Sequence, residues 1–200
     1  EIAVASTKAY TSQVCLISIL GMYFAELLGS YPQEKIEELK SDILDLPSKI
    51  EAVLDNSNEI KNFADKVYTQ KDMFFLGRGT DYNVALEGSL KLKEISYIHS
   101  EAYAAGELKH GPIALIENGV TVIGIITNKE LVEKSISNMQ EVITRGAKTL
   151  IISNQILPNS NFSYVINIPE TNELISPILS VIPLQLLSYY ISKDKGLDVD

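Results

Sequence analysis

Cysteine and histidine are scarce in this sequence, which has one cysteine, Cys15, and two histidines, His99 and His110, among 200 residues. A single cysteine cannot form an internal disulfide, which is typical of proteins from a reducing compartment. Because neither histidine nor asparagine lies near Cys15 in the sequence, a catalytic thiol is disfavoured. The two histidines lack the spacing of a helical ligand pair and no third ligand is indicated, so we predict no metal site.

Basic residues are outnumbered, with 17 lysines and arginines against 26 acidic residues and a formal net charge of −9. This deficit argues against nucleic acid as a partner, because phosphate contacts need clustered lysine and arginine. It does not exclude a sugar phosphate, which can bind where helix dipoles and single cations converge. Hydrophobic residues at 46% and charged residues at 22% are ordinary for a soluble globular protein.

Charge is missing from two long stretches, residues 9–25 and 174–192, and each is about long enough to span a bilayer. Polar residues interrupt both, and Pro177 and Pro183 also interrupt the second. We therefore predict two helices buried between the layers of a soluble, cytoplasmic fold, without a membrane partner. The chain begins and ends abruptly and shows no signal peptide, so we expect it to be cut from a longer protein.

Short β-rich runs alternate with helical patterns in the second half of the chain. The runs do not alternate polar and apolar residues, which is typical of strands buried on both faces. This order predicts a three-layer α/β/α fold with a parallel, doubly wound sheet, preceded by helices. The predicted strands lie within 72–79, 119–127, 147–154 and 164–169, and the predicted helices within 6–28, 33–44, 47–55, 59–68, 81–98, 129–145 and 174–193.

The turn after the first predicted strand is a candidate anion site. In open parallel sheets, ligands bind beyond the carboxyl ends of the strands. Glycines allow close approach of the backbone, and the following helix, with Thr80 or Asp81 as a cap, favours negative charge at its start. The pattern lacks the third glycine of a dinucleotide-binding turn. The candidate substrate-binding residues here are Gly77, Arg78, Gly79 and Thr80.

Glu87, Lys91 and Glu94 have i, i+4 and i+7 spacing, which places them on one face of the helix that follows this turn. One interpretation is a solvated stripe of ion pairs. The other is a covered functional face, because the apolar residues of this helix leave no separate stripe and the helix leads into the segment with both histidines.

That segment, "HSEAYAAGELKHGPIAL", is long for a connection and rich in small residues, which is typical of a functional loop. "AAGELKHGP" predicts a short helix with His110 at its tip. His110 is either a proton-transfer group or a surface residue at a helix end. We interpret His99 as a structural histidine at a helix end.

The run "LGRG…YNVALEGSLKLKEISYIHSEAYAAGELKHGPIALIENG" resembles the second sugar-isomerase (SIS) domain of the glutamine:fructose-6-phosphate amidotransferases, also called glucosamine-6-phosphate synthases. "EIAVASTKAYTSQ" resembles the end of their first SIS domain, and "PLQLLSYY…KGLDVD" their closing helix, in wording closer to bacterial members. The resemblance divides the chain into residues 1–45, the end of the first SIS domain with connecting helices, and residues 46–200, the second SIS domain.

The resemblance implies an activity in amino-sugar biosynthesis: fructose 6-phosphate is opened, aminated with ammonia from glutamine and isomerised to glucosamine 6-phosphate, without a cofactor. It implies that Glu94 moves a proton between C1 and C2, with Lys91 close to it. It also implies that His110 assists ring opening from a neighbouring subunit, so that the protein is a homodimer. A loop that touches the substrate corresponds to Val4, Ala5 and Ser6.

Parts of the family's machinery have no counterpart in this sequence. They are the glutaminase domain, most of the first SIS domain with its serine-rich phosphate loop, and a lysine-bearing tail. We therefore expect these 200 residues to carry half a site and to be inactive alone. Two alternatives remain open: another SIS enzyme, such as an amino-sugar-phosphate deglycase or deaminase, and a non-catalytic module that binds a phosphosugar or a sugar nucleotide.

Overall fold

The computed structural model describes residues 5–158 and 161–199. The helices are α1 (Thr7–Leu28), α2 (Gln33–Asp55), α3 (Ser57–Val67), α4 (Thr80–Ser96), α5 (Val132–Thr144) and α6 (Ser176–Asp194). The strands are β1 (Asp72–Gly77), β2 (His99–Ala104), β3 (Thr121–Ile126), β4 (Lys148–Ser153) and β5 (Tyr164–Asn167). Short 3₁₀ helices cover Ala105–His110, which we call the His110 segment, Pro112–Leu115 and Lys129–Leu131.

The five strands form one parallel sheet in the order β2-β1-β3-β4-β5. From β1 the chain first goes to β2 on one side and then crosses to β3 on the other. The order of the strands therefore reverses between β1 and β3, and in doubly wound sheets ligands bind at the carboxyl edge beside such a reversal. The predicted parallel α/β sheet is confirmed.

Helices cover both faces of the sheet, which confirms the predicted three layers. On one face, α3, α4 and α6 form a core with the apolar side of α2, including Phe63, Leu92 and Leu187. On the other face, α5 and the His110 segment form a second core that includes Leu108 and Met139. The central strands are buried along their length because both of their faces are covered.

Strand β2 corrects the expectation of a loop after α4. Its residues alternate, with Ser100 buried against Ser89 of α4, where the two hydroxyl oxygens are 3.1 Å apart. His99 and Glu101 point to the other face and are more exposed. The sequence of β2 did not indicate a strand because it is largely polar. An edge strand tolerates this composition, since it needs only one apolar face. His99 therefore starts a strand rather than ending a helix, and its Nδ1 lies 2.9 Å from Asp72 Oδ1.

The predicted break before Pro47 is also wrong, because α2 continues through this residue. Ile36, Leu39, Leu46 and Val53 are buried on one side of the continuous helix. These four residues keep helical spacing across the proline, so packing of a single apolar stripe outweighs the lost backbone hydrogen bond.

The two uncharged stretches have different environments. Helix α6 is buried, as predicted, and twelve of its residues lie in the core. Helix α1 has no buried residue, so the prediction that it lies between layers is wrong. Among the described residues, α1 is the helix whose length and mean hydropathy would allow a membrane crossing. This is weak evidence for a membrane, since core helices and signal sequences have the same properties.

Candidate active site

The turn after β1 brings the backbone of the sheet close to the start of α4. A Cβ added to Gly77 would lie 2.3 Å from the carbonyl carbon of Asp81. Gly79 adopts φ +58°, a conformation that favours glycine. The four predicted substrate-binding residues are therefore contiguous at the reversal of strand order. The predicted cap is wrong, because Gly79 occupies the N-cap position and no side chain caps the helix.

Asp81 instead links the segments that follow β1 and β3, the two strands between which the strand order reverses. Its buried carboxylate accepts hydrogen bonds from the backbone N–H and the hydroxyl of Thr127, which follows β3, and from the N–H of Asn128. Burial raises the pKa of Asp81, and these hydrogen bonds partly oppose the increase. No local sequence pattern indicates this bridge, since 46 residues separate the partners.

Replacing Gly77 by alanine tests how tightly this turn is constrained. We expect the free energy of unfolding to fall by about 3 kcal/mol, the upper range for overpacking, because the added methyl meets backbone rather than a movable side chain. Urea denaturation measures the change. In the matched control Gly21→Ala the added methyl meets no atom within 4 Å, so helix propensity should make it neutral or slightly stabilising. Equal stability of the two variants would contradict the prediction.

The face of α4 predicted from spacing is formed, and it is largely covered. Lys91 Nζ lies 2.7 Å from Glu94 Oε2 and 3.6 Å from Glu87 Oε1. The side chain of Lys91 is only 7% exposed, against 14% for Glu87 and 29% for Glu94. Since a buried ammonium needs paired charge, the two carboxylates hold Lys91 in place. The interpretation as a solvated stripe does not fit this burial.

The amino-terminal segment lies close to this covered face. The side chain of Gln185, on α6, donates a hydrogen bond of 3.5 Å to the carbonyl of Thr7. Burial, with a smaller contribution from the nearby Glu87 carboxylate, raises the pKa of Tyr10 to about 12. Of the predicted substrate loop, Ala5 is buried and Ser6 is half-buried, whereas Val4 lies outside the described residues.

His110 ends its 3₁₀ segment, as predicted, and its side chain is 72% exposed. Glu107 Oε2 lies 2.7 Å from His110 Nδ1. Because a carboxylate accepts hydrogen bonds, this contact favours the tautomer with its proton on Nδ1 and leaves Nε2 to face a ligand.

A single chain does not bring Glu94 and His110 together. Helix α4 runs from the carboxyl edge of the sheet to the amino edge, and Glu94 lies in its last turn. The His110 segment follows the carboxyl end of β2 and packs with α5 on the opposite face. No group of three or more His, Cys, Asp or Glu side chains in residues 5–158 and 161–199 is arranged to hold a metal ion.

The sheet, its covered α4 face and the glycine turn are those of a sugar-isomerase fold, and the family model for the SIS domain matches residues 66–192. The chain belongs to the SIS domain family.

Relatives with higher sequence identity show which kind of SIS protein this chain resembles. The chain is 58% identical, over its whole length, to a Clostridium perfringens protein named glutamine–fructose-6-phosphate aminotransferase (isomerizing), and 57% identical to the protein of that name from Clostridium tetani. It spans 33% of the length of each.

Comparison with solved structures also shows similarity to an aminotransferase of this kind. The C-terminal domain of glucosamine-fructose-6-phosphate aminotransferase from Francisella tularensis is similar with a TM-score of 0.95 and 38% identity, and the match covers this whole chain and 57% of that one. A glucosamine-6-phosphate deaminase from Thermotoga maritima is more distant, with a TM-score of 0.65, 25% identity and coverage of 100% and 56%. The predicted relationship to the C-terminal part of the aminotransferases is confirmed.

Proposed function

We propose that this chain is the C-terminal isomerase portion of a glutamine–fructose-6-phosphate aminotransferase, which forms glucosamine 6-phosphate from fructose 6-phosphate and glutamine-derived ammonia. The observation that carries the proposal is the 58% identity over the whole chain to the Clostridium perfringens enzyme. The glutaminase domain and most of the first SIS domain belong to the remainder of the parent protein. The activity accordingly belongs to the parent rather than to these 200 residues.

Glu94 is the group that moves the proton between C1 and C2. Ammonia first replaces the C2 carbonyl oxygen as an imine, with loss of water, and removal of the C1 proton then leaves the electrons of that bond in an enaminol. Return of a proton to C2, with loss of the hydroxyl proton at O1, produces the 2-amino aldose. One carboxylate can serve two adjacent carbons, and Lys91, 2.7 Å away, fixes its orientation.

His110 assists the opening of the sugar ring through Nε2, and it acts on the site of a second subunit. This assignment is supported by its exposure and by its position on the opposite face of the sheet from Glu94. The parent is therefore a homodimer whose sites are shared. Ala5 and Ser6 contact the substrate from the end of the first SIS domain, and the Gly77–Thr80 turn contributes backbone.

The division into residues 1–45 and 46–200 explains the exposed apolar side of α1. The residue boundary itself falls within the continuous helix α2. Ile17, Leu27 and Leu28 are all more than half exposed, although α1 is strongly apolar. We propose that the first SIS domain of the parent covers this side of α1. The lone Cys15, which cannot form a disulfide within the chain, fits the cytoplasmic location that we propose for the parent.

Ile17→Asn tests this coverage by its different effect in two contexts. In the 200-residue chain we expect a change within about 0.5 kcal/mol, as for other surface substitutions. In the full-length protein we expect a loss of about 3 kcal/mol, because the change removes buried apolar surface and buries an amide. Thermal denaturation of both forms gives the comparison. An equally small effect in the full-length protein would show that the helix stays uncovered there.

The assignment of the reaction is tested by incubating the full-length protein with glutamine and fructose 6-phosphate and measuring glucosamine 6-phosphate. The Thermotoga maritima similarity makes a deaminase the second candidate. Release of ammonia from glucosamine 6-phosphate, without synthesis from glutamine, would favour the deaminase. Binding of a sugar nucleotide without either reaction would favour a non-catalytic module.

A further inference from the structure

Arg78 connects three elements on the face of the sheet that is opposite α4. It follows β1, and its Nε donates a hydrogen bond of 3.0 Å to Oδ1 of Asn138 on α5. Both terminal nitrogens of the guanidinium lie 3.3 Å from the point that a Cβ on Gly106 would occupy. Gly106 belongs to the His110 segment, so the planar guanidinium packs directly against the backbone of that segment.

The His110 segment depends on such contacts for its position. A short 3₁₀ helix has poor hydrogen-bond geometry and little stability of its own. Leu108 anchors the segment in the core, and Lys109 Nζ forms an ion pair of 2.9 Å with Glu141 of α5. Asn138 and Glu141 are one turn apart and present the same side of α5 to the segment.

We infer that Arg78 is a positioning residue that acts through the His110 segment, rather than a ligand of the substrate phosphate. This inference rests on the proposed function, in which His110 opens the sugar ring. Arg78 and Asn138 set the distance between the segment and α5, and the segment ends at His110 four residues after Gly106. Displacement of a catalytic group by about 1 Å can lower its contribution about 100-fold.

The effect of Arg78 should therefore depend on whether the substrate needs ring opening. In the full-length protein, we expect Arg78→Ala and Asn138→Leu to lower kcat for fructose 6-phosphate 10- to 100-fold, as about 1 Å of misplacement does, with KM changed less than threefold. 5-Deoxyfructose 6-phosphate lacks the hydroxyl that closes the furanose ring and stays open. With this substrate, kcat of both variants should match that of the wild type within about threefold, because the position of His110 no longer limits the rate when no ring has to open.

Control variants separate positioning from simple loss of structure. Asn138→Asp keeps an acceptor for Arg78 Nε and should retain activity, and Ser137→Ala, an exposed change on the same helix, should have no effect. Gly106→Ala adds a methyl against the guanidinium and should reproduce the defect confined to ring opening. In a His110→Ala background, Arg78→Ala should cause no further loss.

Three outcomes would overturn the inference. A large increase in KM for both substrates would make Arg78 a phosphate ligand, and an equal fall in kcat for both would make its role purely structural. Full activity of Arg78→Ala while His110→Ala is impaired would remove any role in positioning. Failure of the proposed function is distinct, since His110→Ala would then be fully active or the wild type would form no glucosamine 6-phosphate.

Discussion

Glu94→Gln in the full-length protein should lower the rate of glucosamine 6-phosphate formation about 10³-fold, within the range for loss of a general acid–base group. Glutamine has nearly the same shape and can still accept a hydrogen bond from Lys91, but it cannot take up the C1 proton. We expect KM for fructose 6-phosphate to change less than about threefold, because Glu94 acts on the transition state rather than on the phosphate.

Exchange of the C1 hydrogen of fructose 6-phosphate with deuterium from solvent, followed by NMR, reports on this step directly. The exchange should be lost in Glu94→Gln. It should persist in the matched control Glu51→Gln, which changes an exposed carboxylate on α2. Normal turnover and normal exchange in Glu94→Gln would mean that another group moves the proton. If Glu94→Gln no longer bound fructose 6-phosphate, but the rate of exchange for each bound molecule stayed normal, Glu94 would instead be a substrate-binding residue.

Two inactive variants should restore activity to each other if the sites are shared between subunits. We expect homodimers of Glu94→Gln and of His110→Ala to have only residual activity. A mixture that has exchanged subunits at equal amounts should recover about a quarter of wild-type activity, since half of its dimers are hybrids with one intact site of two. The physical basis is the sheet itself, which separates Glu94 from His110 within one chain.

The mixing experiment needs unfolding and refolding, or coexpression, so that subunits assort at random. Glu94→Gln mixed with wild type is the control for dilution and should retain half of the wild-type activity whether or not the subunits exchange. If each variant alone is inactive and the mixture is also inactive despite confirmed hybrid formation, then both residues act in one subunit. Light scattering on the mixture checks that the particles are dimers.

Several elements followed from local sequence alone. The runs that became β1, β3 and β4 are mostly apolar and are buried on both faces, as their lack of alternation predicts. The run that became β5 was also recognised as a strand, but it lies at the edge of the sheet and only Ile166 in it is buried. The i, i+4 and i+7 spacing of Glu87, Lys91 and Glu94 likewise placed the three side chains on one face of a helix. Both inferences succeed because neighbouring residues determine periodicity.

Other features depended on partners distant in sequence. The strand β2 is polar on one side because it lies at the edge of the sheet, and α2 continues through Pro47 because its apolar stripe packs across the break. The exposure of α1 reflects the part of the parent that lies outside this chain, according to our proposal. Local propensity carries no information about any of these neighbours.

The sequence by itself determined four of the five strands, most helices, the charged face of α4 and the position of His110 at the end of a short helix. Only the tertiary structure decided what these groups do to one another. It buried Lys91 between two carboxylates, bonded Asp81 to Thr127 and Arg78 to Asn138, and put His110 and Glu94 on opposite faces. The reason is that hydrogen bonds and burial depend on distances in space, which the order of strands β2-β1-β3-β4-β5 sets and which no local pattern encodes.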